Sequence, residues 1–286
     1  MAPAQARSKL HVLSTIRPLD LLVADIAGDS AEHSYLVRAN ASPHNFSMRI
    51  SDLDKLKNAD LIVWVGPNFE RFLSTNLQRG ALADRSVELD KLPDLHWPET
   101  AAAQQGRDLH LWLNSDNAEA IARAVTARLI ELDPEAAQGY RARLRVFVEQ
   151  IGAQKKRFLQ RFDGKENIPF SVYHDGYSHF TSEFGLRRWN FVTEIPEQQL
   201  SLKQLHQLSH TTQSSSCLLA DSSEWMPAKK MADTLGLPVQ EVDLLAHQQQ
   251  TFAAASEQSQ FVRYWKALGE AFLNCLEKKS PQRQEM

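Results

Sequence analysis

Residues 10–16, Leu-His-Val-Leu-Ser-Thr-Ile, form a short apolar run, and from Pro18 to Ala27 the apolar positions recur at helical spacing. This predicts a strand followed by a helix. A second strand is predicted over 35–38 and a helix over 51–58 with Ser51 as its N-cap. A third strand is predicted over 60–65; Gly66-Pro67 ends it and a helical pattern resumes over 69–77. Strand–helix alternation of this kind predicts parallel sheets with helices on both faces.

A helix over 118–132 stops at Asp133-Pro134. Tyr140, Leu144, Phe147, Val148, Ile151 and Phe158 then recur at spacings of three, four and seven up to Phe162. Pro134 suits the first turn of that helix, where its missing N–H costs nothing. At a rise of ~1.5 Å per residue the helix is about 40 Å long, enough to traverse the molecule. A coiled coil is disfavoured because the heptad is not sustained. After Lys165 the alternation restarts, with strands over 170–173, 189–193, 217–220 and 239–242. Helices lie over 176–184, 201–208 and 224–235, and a terminal helical pattern runs over 261–273. The fold class is therefore α/β, with two lobes (1–133 and 164–286), each a parallel sheet flanked by helices, joined by one long helix over 134–163.

Composition narrows the function classes. With 32 Lys/Arg against 35 Asp/Glu the formal net charge is −3, and no basic block suggests a nucleic-acid partner. No apolar run reaches the ~18–20 residues of a membrane span. The start, Met-Ala-Pro-Ala-Gln-Ala6, lacks the basic and apolar regions of a secretory signal, although Ala4-Gln-Ala6 has the small-x-small character of a cleavage site. It reads either as the remnant of a removed signal or as an ordinary Ala-rich start. The two cysteines, Cys217 and Cys275, form no C-x-x-C pair; two separately buried thiols and a disulfide both remain open.

Candidate chemistry sits at the edges of the apolar segments. His44, His110 and His174 fall in Ser-Pro-His-Asn-Phe, Asp-Leu-His-Leu-Trp and Val-Tyr-His-Asp-Gly-Tyr, and Asp243 ends Leu-Pro-Val-Gln-Glu-Val-Asp. Imidazole nitrogens with a carboxylate oxygen suit tetrahedral Zn²⁺. Intervals of 66, 64 and 69 residues exclude a zinc finger and predict a site assembled by folding. His174 and Asp243 directly follow predicted strands, His44 lies in the loop after 35–38, and His110 precedes a helix. Ligands of open α/β sheets bind at such carboxyl ends, so the metal is expected in the cleft between lobes. Each residue alone has a plainer reading: a lone His as an ordinary core or surface residue, Asp243 as a helix cap. His206 and His210, four apart, read as a solvated helix face without an H-E-x-x-H motif. His179 and His247 are nearby groups or spare ligands. Trp64, Trp112 and Phe46 read as packing residues.

The surrounding strings carry a resemblance. Ala-Ser-Pro-His44-Asn-Phe-Ser-Met-Arg-Ile-Ser-Asp-Leu, followed by Asn58-Ala-Asp-Leu-Ile-Val-Trp-Val-Gly-Pro67, resembles the zinc-binding subunits of bacterial ABC importers, the ZnuA type. Asp108-Leu-His110-Leu-Trp-Leu, then His174-Asp-Gly-Tyr-Ser-His-Phe with Phe184-Gly-Leu, match two further motifs in the same order. The resemblance spans about 12–275. It implies that the long helix joins the lobes, that Cys217 and Cys275 pair as in the zinc-specific branch, and that the signal has been removed from a periplasmic protein.

It further implies one Zn²⁺ per chain as transported ligand, held by His44, His110, His174 and Asp243, with an ABC permease and its ATPase as partners and no catalysis. The chain is expected to be a monomer. His174 favours zinc over manganese, since manganese-type relatives usually place a carboxylate there. Three departures matter. Pro43 stands where some zinc-specific members have a carboxylate, the His-rich acidic loop is missing over 92–107 apart from His96, and the family's Asp-Pro-Leu-Gly reads Asp243-Leu-Leu-Ala. The alternatives are a Mn²⁺ or Fe²⁺ relative, a zinc chaperone, and a zinc hydrolase with Glu70 or Asp175 as base.

Overall fold

The apolar runs read from the sequence become strands buried on both faces, and these set the architecture. The structure is a computed structural model that describes residues 9–38, 41–77, 80–98, 108–193, 202–212, 215–248 and 258–278. The first lobe holds β1 (Leu10–Ser14), α1 (Arg17–Ala27), β2 (Ala31–Tyr35), α2 (Ile50–Asn58), β3 (Leu61–Trp64) and β4 (Ser86–Glu88). α3 (Ser115–Leu132) and the long α4 (Ala137–Phe162) lead to the second. That lobe holds β5 (Phe170–His174), α5 (Ser178–Glu183), β6 (Arg188–Thr193), α6 (Leu202–Thr211), β7 (Leu218–Asp221), α7 (Trp225–Leu235), β8 (Val239–Val242) and α8 (Gln260–Leu276). The Ala-rich start, with Ala4 and Ala6, and most of the segment missing the acidic loop lie outside the described residues.

Both sheets are wholly parallel and share one plan, with orders β2-β1-β3-β4 and β6-β5-β7-β8. In each, the strand order reverses between the two central strands, β1 and β3 or β5 and β7. Loops leaving the carboxyl ends there part to opposite sides and open a crevice. No helix among the described residues is long and apolar enough to cross a membrane.

Several boundaries differ from expectation. The second strand is Ala31–Tyr35 rather than 35–38; Leu36 and Val37 still donate to Ser14 O and Thr15 O, at 3.0 and 2.8 Å. α2 begins at Ile50, where Asp52 accepts from Arg49 N at 2.8 Å. α3 begins earlier than expected because Asn114 caps it, accepting from Asp116 N and Asn117 N at 3.0 Å. The segment over 69–77 is a 3₁₀ turn followed by a single α-turn.

The long helix buries Tyr140, Phe147, Ile151, Gln154, Phe158 and Phe162 along one stripe. Phe158 packs so tightly on α8 that a Cβ at Gly269 would lie 2.2 Å from its Cζ. One apolar core runs through both lobes, and α8 packs on α1, α4 and β8. Asp25 of α1 holds the start of α8, accepting from Gln260 N at 2.7 Å and Phe261 N at 2.9 Å. Trp265 Nε1 donates to Leu113 O at 2.8 Å, and Trp112 Nε1 to the Tyr264 hydroxyl at 3.0 Å. Cys217, just before β7, is bonded to Cys275 in the last turn of α8 with Cα atoms 5.4 Å apart.

Candidate metal centre

The second lobe's crevice places His174 at the carboxyl end of β5, where it is 3% exposed. Gly176 follows, and only a glycine fits: a Cβ there would lie 2.8 Å from Cε1 of both His110 and His174. The first lobe contributes His110, at the start of a 3₁₀ turn over Leu111–Leu113, and His44 from the loop after β2. Phe69 stands edge-on to His44 and His110, with ring centroids 5.1 and 5.3 Å away, and Trp112 backs Phe69 and His110.

One ligand atom from each of the three imidazoles lies within 4.8 Å of the others. Tetrahedral zinc, with Zn–N bonds of about 2.0–2.1 Å, holds its donors about 3.4 Å apart, so small side-chain movements close the sphere. His44 Nε2 is buried without a hydrogen-bond partner, the state expected of a lone pair kept for an ion. The cavity beside the triad measures about 20 Å³, which holds one ion or water. Its other walls are Ser42, Pro43, Asp221, Ser223, Glu224, Leu244 and Leu245.

Burial, and then repulsion from His110, hold the His44 imidazole down to about 4. The same two causes, with His44 added, hold His174 well below its ordinary value. These rings are therefore neutral, as metal ligation requires. Asp108 lies behind His110: its Oδ1 accepts from His110 N at 3.0 Å and stands 2.7 Å from Nδ1. Burial raises that carboxyl, but the His110 ring and its hydrogen bond outweigh burial and hold it below the usual range. Glu224 Oε1 lies 3.7 Å from His174 Nδ1. Sequence reasoning missed both carboxylates; the Asp-x-His spacing was a signal for the first.

Asp243 does not join the converging nitrogens. At the end of β8 its Oδ1 accepts from His247 N at 2.7 Å and its Oδ2 from Gln248 N at 2.8 Å. It thereby closes a turn in which Ala246 takes a left-handed φ of 56°. Burial raises its carboxyl. His247 Nδ1 is buried without a partner, and burial lowers its ring. His179 sits behind the centre, with Nε2 2.9 Å from Asp108 O and Nδ1 accepting from Asn117 Nδ2 at 3.3 Å.

Glu70 is fully buried in the first lobe and accepts from Thr15 Oγ1 at 2.5 Å, Val65 N at 3.1 Å and Gly66 N at 2.9 Å. Burial pushes its carboxyl up to about 7. Neither Glu70 nor Asp175 lines the cavity, so neither is placed as a base for water held there. His206 and His210, both exposed on α6, pair with ring centroids 4.7 Å apart, and they too are not among the lining residues.

Residues 12–257 match the family model described as ZnuA, zinc-uptake complex component A, periplasmic. The high-affinity zinc uptake system protein ZnuA of Yersinia pestis is 30% identical over 223 residues, covering 69% of this chain and 70% of that protein. A crystal structure of ZnuA superposes with a TM-score of 0.78 at 21% identity, covering 94% of this chain and all of that one. The laminin-binding protein of Streptococcus agalactiae, described as having adhesin and metal-transporting activity, gives 0.77 at 20% identity, covering 94% and 100%.

Proposed function

The chain belongs to the ZnuA family of periplasmic zinc-uptake components, and from that premise we propose that it captures one Zn²⁺ with His44, His110 and His174 and delivers it to an ABC import permease driven by a separate ATPase. It works outside the inner membrane and performs no catalysis of its own. The observation that carries the reading is the convergence of three buried or half-buried imidazoles from both lobes on a cavity sized for one ion. Three nitrogen donors favour zinc over manganese, which prefers harder oxygen ligands.

The fourth position is taken by water or by Asp243. Asp243 already accepts from His247 N and Gln248 N and is not among the residues lining the cavity, which favours water. Metal analysis of protein purified without added metal, followed by competition with a calibrated chelator, tests the reading. One zinc per chain is expected, with affinity falling at least tenfold in both His110→Ala and His174→Ala. Unchanged affinity in both variants overturns it.

A further inference from the structure

We propose that Asp108 is a positioning residue for metal capture, which fixes His110 with Nδ1 protonated and Nε2 turned to the ion and ties that ligand to the segment carrying His174. The proposal rests on the reading of the triad given above and extends it to a residue that does not touch the metal. Asp108 and His110 are both nearly buried, with side chains 8% and 5% exposed. An ionised carboxylate can only accept, so the 2.7 Å contact between Asp108 Oδ1 and His110 Nδ1 places the ring proton on Nδ1. The lone pair then belongs to Nε2. The second bond to the same oxygen, from His110 N at 3.0 Å, fixes the backbone as well as the ring.

The other half of Asp108 faces the second lobe. Its Oδ2 accepts from Ser178 N at 2.9 Å, four residues beyond His174. Its carbonyl oxygen stands 2.9 Å from Nε2 of His179, which is 1% exposed. Gly176, between His174 and Ser178, lies against both ligand rings. One residue thus couples the ligand of the first lobe to the strand-end loop of the second.

Charge gives the same residue a second role. Three neutral imidazoles leave the full +2 of the ion in a buried site, a costly arrangement without a nearby anion. A carboxylate hydrogen-bonded to the far side of a ligating imidazole shares that charge and raises the basicity of the ring. Among the described residues no carboxylate is hydrogen-bonded to the His44 ring: its backbone N–H donates to Ser42 Oγ at 3.2 Å, and the ring stands edge-on to Phe69, His110 and His174.

The test uses the whole chain with Asp108→Asn, Asp108→Ala, His110→Ala and the double variant Asp108→Ala/His110→Ala. Zinc affinity is read by chelator competition, the apo fold by circular dichroism and melting. Asn keeps an oxygen for the His110 Nδ1–H but loses the charge and turns an amide donor towards Ser178 N, so about a 10- to 100-fold loss of affinity is expected, with apo melting reading the second effect. Asp108→Ala should lose more, and the double variant should lose clearly less than the product of the two single losses, because Asp108 acts in large part through that ring. ¹⁵N spectra of the wild type should show His110 protonated at Nδ1 and metal-bound at Nε2, a readout that survives if a variant does not fold. Affinity within twofold of wild type in Asp108→Asn, independent multiplication of the two losses, or zinc on Nδ1 overturns the proposal. Each leaves the metal-site reading intact, which fails only if His110→Ala and His174→Ala bind zinc normally.

Discussion

Lowering the pH from 7.5 to 5.5 separates this site from three ordinary imidazoles. A ring must be neutral to ligate, so a ligand that titrates above the working pH weakens binding by 1 + 10^(pKa − pH). At pH 5.5 an ordinary histidine near ~6.5 contributes a factor of about 11, and three of them about 1000-fold. Burial and the neighbouring His110 hold His44 down to about 4, and burial with its two neighbours holds His174 well below its ordinary value. At pH 5.5 the His44 factor is about 1.03, so two of the three ligands lose almost nothing to protons. The expected loss of zinc affinity is therefore well short of that for three ordinary imidazoles. This is milder than neutral-range titration of the whole triad implies. Apo stability falls with pH in the same direction: with folded values below the unfolded ones, these histidines take up protons first in the unfolded chain. Their contribution to stability is therefore lost as pH falls from 6.5 towards 4, by about 3 kcal/mol at most for His44. Asp25 and Glu70, raised by burial to about 6 and about 7, act in the reverse sense, because the fold retains their protons and loses that stability as pH rises. The melting temperature thus mixes opposed effects, whereas zinc affinity isolates the triad. Competition against a chelator calibrated at each pH is the assay, and a loss approaching 1000-fold refutes the reasoning.

Gly176→Ala places a methyl 2.8 Å from the His110 and His174 rings, which must shift to admit it, so zinc affinity should drop at least tenfold; equal affinity in competition assays would sink this. Thiol titration of denatured, unreduced protein should find no free sulfhydryl. Reduction should then lower the unfolding free energy by about 4 kcal/mol for the loop of 58 residues, measured in denaturant. Asp243→Ala strips the acceptor from two N–H groups in a turn already holding Ala246 at positive φ, so the apo protein should lose about 1–2 kcal/mol. Its zinc affinity should fall less than that of His110→Ala, and a loss as large as that of His110→Ala would make the carboxylate a full ligand.

How far the chain could be read depended on burial. β3, β5 and β7 lie in sheet centres, buried at every position, and appear in the sequence as mainly apolar runs, interrupted by Ser171 in β5 and ended by His174 and Asp221. β2 is an edge strand, Ala-Glu-His-Ser-Tyr, with only Ala31 buried, so the apolar Tyr35-Leu-Val stretch after it drew the expected strand too late. β4 has three residues with Val87 alone buried, too little pattern to read. Ala246 in the left-handed region shows that the turn after Asp243 survives the loss of the family's glycine.

The site divides along the same line, because strand order is not written in local pattern. His174 was legible as the end of an apolar run, and β5 proved to be a central strand flanking the point where the order reverses. Asp243 ends a similar run, but β8 lies at the sheet edge, beyond β7. With neighbouring strands about 4.8 Å apart, its end is about 10 Å from that of β5, whereas the end of β7 is half as far. The carboxylates that reach the cavity are accordingly Asp221, the last residue of β7, and Glu224 three residues later. Asp221 spends its oxygens on Leu244 N and on Ser223, so it shapes the wall rather than offering a free donor. Whether a strand-end carboxylate lines the cavity is thus decided by where its strand lies in the sheet. The contact between Asp108 and His110, two residues apart, needs no such placement, since it is made within one short segment of chain.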